Sequence, residues 1–208
     1  MTIQAFLAER MDGLTYHQFM DAGFRRDGRV FYQPICAGCR QCLPIRVPVG
    51  GYQPNKSQRR CRRRNSDLVV EMAAPNLTDE KSDLFRRYQH SRHPPRGEPL
   101  ESAQPGDATD ALDTEADDRP PVHLYTSAVR TVEFTYRNPA GRLLAVGICD
   151  VCPRSVSSVY FFFDPDESAR GLGIFGAVCE IEFAQRRNIP YYYLGYWVRD
   201  CRSMRYKS

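Results

Sequence analysis

The chain has 208 residues, with 29 Lys or Arg against 25 Asp or Glu and a formal net charge of +4, enough length for one large domain or two small ones around a real core. No apolar run approaches the roughly 20 residues of a membrane-spanning helix, and the first ten residues have neither the basic start nor the apolar stretch of a secretory leader. The eight cysteines therefore read as reduced or metal-bound thiols of a cytoplasmic protein rather than as a disulfide framework.

In chain order, Thr15–Met20 predicts a short helix with Tyr16, Phe19 and Met20 on its apolar face. Gly23-Phe-Arg-Arg-Asp-Gly28 predicts a turn, and Arg29–Gln33 a strand ending at Pro34. Cys36, Cys39 and Cys42 follow at CxxCxxC spacing, which suits three thiolates around one zinc ion or an iron–sulfur cluster. Three ligands are one short of a closed tetrahedral site, so a fourth is expected from Cys61, His17 or water, unless the thiols are free. Leu43–Val49 reads as an edge strand because of its prolines. Asn55 or Ser57 is placed to cap a helix through Lys56-Ser-Gln-Arg-Arg-Cys-Arg-Arg-Arg64, where six of nine residues are basic.

Thr78–Arg92 predicts a second helix, capped by Thr78, with Leu84, Phe85 and Tyr88 inward. Residues 94–121 have almost no large apolar side chains and read as an unfolded acidic insertion. Glu98–Asp118 alone holds eight acids and no Lys or Arg, and without it 29 basic residues face 17 acidic ones, a net of +12. So basic a folded part favours a polyanionic or acidic partner. Strands are predicted at Ser127–Tyr136, Arg142–Val151 and Ser157–Phe163. Asp164 then opens a helix with Leu172, Phe175, Cys179 and Phe183 on one face, which Pro190 ends before a strand over Tyr191–Trp197. The expected class is α+β, divided at 1–75, a small cysteine-containing module, and 76–208, a second domain.

The stretch from Ser157 to Lys207, a strand, an Arg170-Gly-Leu-Gly173 turn at a helix start and a second strand, is similar to the core of GNAT-like folds. A longer set of motifs is more specific. Tyr160-Phe-Phe-Phe-Asp-Pro-Asp166, Glu180-Ile-Glu-Phe-Ala184, Tyr193-Leu-Gly-Tyr-Trp197 and Met204-Arg-Tyr-Lys207 resemble the C-terminal domain of arginyl-tRNA–protein transferases, bacterial branch, which includes aspartate/glutamate leucyltransferases. Gly23-Phe-Arg-Arg-x-Gly28, Tyr32-x-Pro34, the cysteine triplet, Pro44-x-Arg46 and Pro54-x-x-Ser57-Gln-Arg-Arg60 with Arg64-Asn65 resemble its N-terminal domain, in the same order. The family pattern begins with a further segment and runs on past Tyr206-Lys207.

The resemblance implies transfer of Leu or Arg from its tRNA to the N-terminal amine of proteins starting with Asp or Glu, in the N-degron route, with no cofactor needed. On that reading Asp164 is the expected proton acceptor or amine aligner, and Tyr160 and Tyr196 orient the ester. Gly171 and Gly173 would turn backbone N–H groups toward the carbonyl or the tRNA end. Lys56, Arg59, Arg60, Arg62, Arg63 and Arg64 would face tRNA phosphates. Arg46, Arg130 and Lys207 are the cations expected to read the acceptor carboxylate. A monomer with no membrane partner is expected. Two other readings remain: a CoA-dependent N-acetyltransferase, and a non-catalytic tRNA-binding protein.

Overall fold

The computed structural model describes residues 2–92, 121–199 and 201. Glycines at positive φ on both sides (Gly23 at 92°, Gly28 at 57°) reverse the chain around Arg25–Asp27, which is a strand and not the predicted turn. This β2 joins β1 (Ile3–Leu7) and β3 (Val30–Pro34) in a three-stranded antiparallel sheet, order β1-β3-β2. Helix α1 (Gly13–Asp21) starts at Asp12, whose side chain accepts from the Leu14 and Thr15 amides. It packs Tyr16 and Met20 against Phe31 of β3 and Tyr193 of the larger sheet.

The larger sheet has six strands, in the order β4-β9-β8-β7-β6-β5. These are β4 (Leu43–Pro48), β5 (Val69–Ala73), β6 (Thr131–Arg137), β7 (Leu143–Val151), β8 (Ser155–Phe163) and β9 (Tyr191–Trp197). Every neighbouring pair is antiparallel except β8 and β9, which run parallel and are joined by a 3-10 segment (Pro165–Arg170) and helix α5 (Leu172–Arg186). A parallel pair joined through a helix within an otherwise antiparallel sheet is the GNAT-like arrangement. Strands β4 and β5, which precede residue 75, lie at the two edges of this sheet and flank strands that follow it.

Helices cover both faces. Phe175, Ile181 and Ala184 of α5 pack on Tyr136, Leu144 and Tyr192. Leu84 and Phe85 of α3 (Asp79–Arg92) and Leu124 of α4 (Val122–Tyr125) pack with Val146, Ile148 and Phe162. Helix α2 (Lys56–Arg64) starts at Asn55 through a reciprocal capping box with Gln58, as predicted, and lies beside α5. Its one buried side chain is Cys61. No helix among the described residues is long and apolar enough to cross a membrane. Most of the acidic insertion expected at 94–121 lies outside the described residues.

Candidate active site where two strands part

The parallel pairing of β8 and β9 is short. It links Ser155, Val156 and Ser157 to Tyr191, Tyr192 and Tyr193 and stops there. Beyond it β8 stays with β7 as far as Phe163, and β9 stays with β4 as far as Trp197. Both strands are irregular where they part. In β8, Ser158 pairs with Cys149 and Tyr160 with Ile148, which leaves Val159 as a bulge. In β9 the register jumps from Tyr193 to Gly195, and Gly195 has φ 85°. Ser158 and Tyr160 thus lie on one lip of the opening, and Gly195 and Tyr196 on the other.

Arg25 of β2 reaches into this opening. Its Nη1 donates to Ser157 Oγ at 2.8 Å, and Nη2 donates to the Ser158 carbonyl. A Cβ on Gly195 would lie 3.4 Å from Nη2, so the missing side chain gives the guanidinium its room. Arg25 is 8% exposed, yet among the described residues it forms no ion pair. Its neighbour Arg26 is the opposite case, bound bidentately to the buried Asp150 at 2.5 and 2.6 Å. The sequence reading missed Arg25. The signal was present in the Gly23–Gly28 motif, but a turn assignment hid the fact that adjacent strand residues point to different partners.

Behind the opening lies Glu180 of α5, 1% exposed. Tyr192 Oη donates to its Oε2 at 2.5 Å, while Oε1 makes no full hydrogen bond among the described residues. Burial pushes the carboxyl up to about 7, against smaller lowering effects from Tyr192, Cys149 and Ser158.

The residues expected from sequence fall in different places. Tyr160 is on the lip, its ring against Phe85 and Phe162. Tyr196 is on the other lip, buried, and its hydroxyl donates to the Gly23 carbonyl at 2.6 Å. Asp164 is at the far end of β8 and is 1% exposed. It accepts two bonds from Arg87, at 2.8 and 3.2 Å, and one from the Asp166 amide, with Arg142 at 3.3 Å. Burial raises its pKa, but these bonds and the charges of Arg87 and Arg142 outweigh it and hold the carboxyl below the usual range. So placed, Asp164 is a helix cap and an ion-pair anchor, a poor proton acceptor.

Arg46 is engaged elsewhere: it pairs with Asp21, meets Tyr193 Oη at 3.0 Å and stacks 4.1 Å over the Tyr191 ring. Arg130 is exposed just before β6, and Lys207 lies outside the described residues. The three expected acceptor-reading cations are therefore not brought together among the described residues.

The cysteine triplet is not gathered into a ligand set either. Among the described residues no three His, Cys, Asp or Glu side chains are placed to hold a metal ion. The Cys36 thiol accepts from the Thr2 amide, just before β1, at 3.2 Å, and Cys39 is exposed beyond a turn made by Gly38 at φ 70°. The expected fourth ligands are committed too. Cys61 donates to the Gly171 and Arg170 carbonyls at 3.3 and 3.5 Å, and His17 is buried against Ser155 Oγ at 3.2 Å. Burial first, and then the nearby Cys39 and Cys36 thiols, raise the Cys42 pKa, so the three thiols share one neighbourhood.

Helix α2 presents all six of its basic residues to solvent. Arg59 bonds the Pro54 carbonyl at 2.5 Å, Arg62 pairs with Glu182 at 3.0 Å, and Arg64 donates to the Ala169 carbonyl. Among the described residues Lys56, Arg60 and Arg63 have no such partner. The other side of α2 closes on the glycine turn before α5. Besides the Cys61 thiol, Asn65 donates to the Arg170 carbonyl at 3.0 Å, and a Cβ on Gly171 would meet Cys61 Sγ at 3.4 Å.

Residues 2–60 match the family model "Arginine-tRNA-protein transferase, N terminus", and residues 80–208 match "Arginine-tRNA-protein transferase, C terminus". An aspartate/glutamate leucyltransferase of Pseudomonas putida is 37% identical over 97% of this chain and 79% of its own length. One of Saccharophagus degradans is 36% identical over 95% of this chain and 78% of its own. Among solved structures, a C-terminal domain from Agrobacterium fabrum assigned to a lysylphosphatidylglycerol synthetase has a similar fold. Its TM-score is 0.51 at 13% identity, covering 93% of this chain and 54% of that one. The chain belongs to the arginine-tRNA-protein transferase family, with the bacterial aspartate/glutamate leucyltransferases, and is an aminoacyltransferase.

Proposed function

We propose that this chain moves leucine from its charged tRNA to the N-terminal amine of proteins that begin with Asp or Glu, and that the reaction takes place where β8 and β9 part. The observation that carries this reading is Arg25, a buried guanidinium beside that opening whose partners among the described residues are neutral. A buried charge without a counterion is costly, by several kcal/mol in order of magnitude. An acceptor side-chain carboxylate supplies the missing anion and two parallel hydrogen bonds. Arg25 thereby takes the role expected of Arg46, which Asp21 already occupies.

The chemistry asks little more of the protein. The aminoacyl ester is already activated, and an α-amine with a pKa of about 8 is a competent nucleophile once neutral. Holding the two ends together is the main task. Tyr160 and Tyr196 line the lips, where they flank the ester. Lys56, Arg60 and Arg63 are free to meet tRNA phosphates, and Arg59, Arg62 and Arg64 extend the same basic face. The packing of α2 on the Gly171 turn disfavours the acetyl-CoA reading, which needs that turn for a pyrophosphate. No metal enters this reading, and the chain acts as a monomer in the cytoplasm.

The test is transfer of labelled leucine, and separately arginine, from charged tRNA to peptides that start with Asp, Glu or Ala. The expected result is transfer to Asp and Glu peptides with leucine as donor, and none to Ala. Equal transfer to Ala would remove the carboxylate reading. Preference for arginyl-tRNA would correct the donor. No transfer by folded protein that still binds tRNA would leave the non-catalytic reading.

A further inference from the structure

We infer that Glu180 takes up the proton lost by the acceptor amine, reaching it through the Ser158 hydroxyl. This rests on the reading above, in which the acceptor sits against Arg25. Ser158 is the first residue of β8 past the paired stretch, and it connects the two groups. Its carbonyl holds the Arg25 guanidinium, and its hydroxyl lies within reach of the Glu180 carboxyl on the α5 side of the sheet. An acceptor whose side-chain carboxylate binds Arg25 has its α-amine two or three carbons away, next to Ser158.

The surroundings of Glu180 favour a group that exchanges a proton. Oε2 is fixed by the Tyr192 hydroxyl at 2.5 Å, while buried Oε1 makes no full hydrogen bond among the described residues, the Ser158 hydroxyl and the Cys149 thiol being the other donors near the carboxyl. A buried oxygen left in that state is costly. Room for it is made by Gly147, where a Cβ would lie 2.6 Å from Oε1. The titratable or charged groups around it are Tyr136 on β6, Cys149 on β7, Tyr192 on β9 and Cys179 on α5 itself. None is a cation, and burial keeps those three β-strand groups far above their ordinary pKa values, so they stay neutral. Glu180, lifted to about 7, changes charge in the range where the enzyme works.

The step balances. The amine nitrogen bonds to the ester carbon, and its surplus proton passes to Ser158 Oγ as the Ser158 proton passes to the Glu180 carboxylate. The ester C–O bond breaks, and the leaving ribose oxygen takes a proton back by the same path. The carboxylate is regenerated, and no other reactant is needed.

Glu180→Gln tests this, because the amide keeps the shape and its oxygen still accepts from Tyr192. Single-turnover transfer to a Glu-starting peptide is followed between about pH 5.5 and 8.5. The wild-type rate should rise through an inflection near 7 as Glu180 ionises. The Gln variant should be slower by about 100-fold, with KM for the peptide unchanged and the inflection near 7 gone, leaving the acceptor amine's own rise at about 8. Glu180→Asp should restore the inflection in part, and Ser158→Ala should lose rate as the Gln variant does. A Gln variant at the wild-type rate, or a slow one that keeps the inflection, overturns the proposal. Full activity in Ser158→Ala overturns the relay. Failure of the wild-type chain to transfer overturns the functional reading itself, a result distinct from all of these.

Discussion

Two consecutive arginines on one three-residue strand have opposite electrostatic fates, and each follows from what faces it. Arg26 meets Asp150 and forms a closed pair, with Thr131 also on the carboxylate. Among the described residues Arg25 bonds a serine hydroxyl and a carbonyl and no anion. Replacing Arg25 by Met should lower kcat/KM for Asp and Glu peptides by about 100-fold, the worth of a lost bidentate charged hydrogen bond. Ala peptides should stay without transfer. Arg25→Lys should recover little, since a point charge cannot reproduce the fork. Unaltered discrimination between Glu and Ala peptides in Arg25→Met would discard this assignment. Asp164 presents the reverse situation, an anion with too many partners to be a base. Asp164→Asn should cost about 1–3 kcal/mol of stability in a denaturant titration, by freeing Arg87 and Arg142. Because the carboxyl lies below the usual range, the variant should leave the pH profile near neutrality as it was. A profile that moved would return Asp164 to the proton path.

At the scale of elements, α2 has two faces of opposite character. Cys61 and the Asn65 that ends the helix tie it to the carbonyls of the turn before α5, and the basic residues point outward. Charge reversal at Arg60 and Arg63 should therefore weaken tRNA binding without unfolding the helix. It should flatten the dependence of log K on log salt by about 1 per lost phosphate contact. An unchanged salt slope would assign this face to solvent. The helix was legible in the sequence because its cap and its charge are local. So were β7, β8, α5 and β9, which carry apolar runs or a helical period within one window. Strands β1 and β5 were not read, because both are mostly exposed and their pairing with β3 and β6 is decided far away in the chain. The opening itself is a place where pairing stops, and no local pattern encodes that. Glu180 could be seen only as a motif residue, and Gly147 only as part of a strand, until the fold brought them together.

At the scale of the molecule, the two sequence halves form one sheet, and the small sheet is fastened to it by Arg26 and Asp150. Both side chains are fully buried, with 0% exposure each. The arginine also holds the Gly28 carbonyl at 3.0 Å and Thr131 at 3.2 Å, so one guanidinium fixes the far end of β2 against β6 and β7. This pair sets where Arg25 can reach, since the two residues share a strand. Removing one partner leaves the other charged and dry, which costs about 3–5 kcal/mol. Asp150→Ala should lower the melting temperature by on the order of 10 °C for a chain of this size. Replacing both partners, Arg26→Met with Asp150→Leu, should recover most of that loss, because buried pairs add little over well-packed apolar groups. Recovered stability with lost activity would show that the pair serves to place Arg25. Full recovery of activity as well would mean that apolar packing alone seats β2, and an Asp150→Ala chain as stable as the parent would show that the small sheet is held by the Tyr16, Met20 and Phe31 cluster instead.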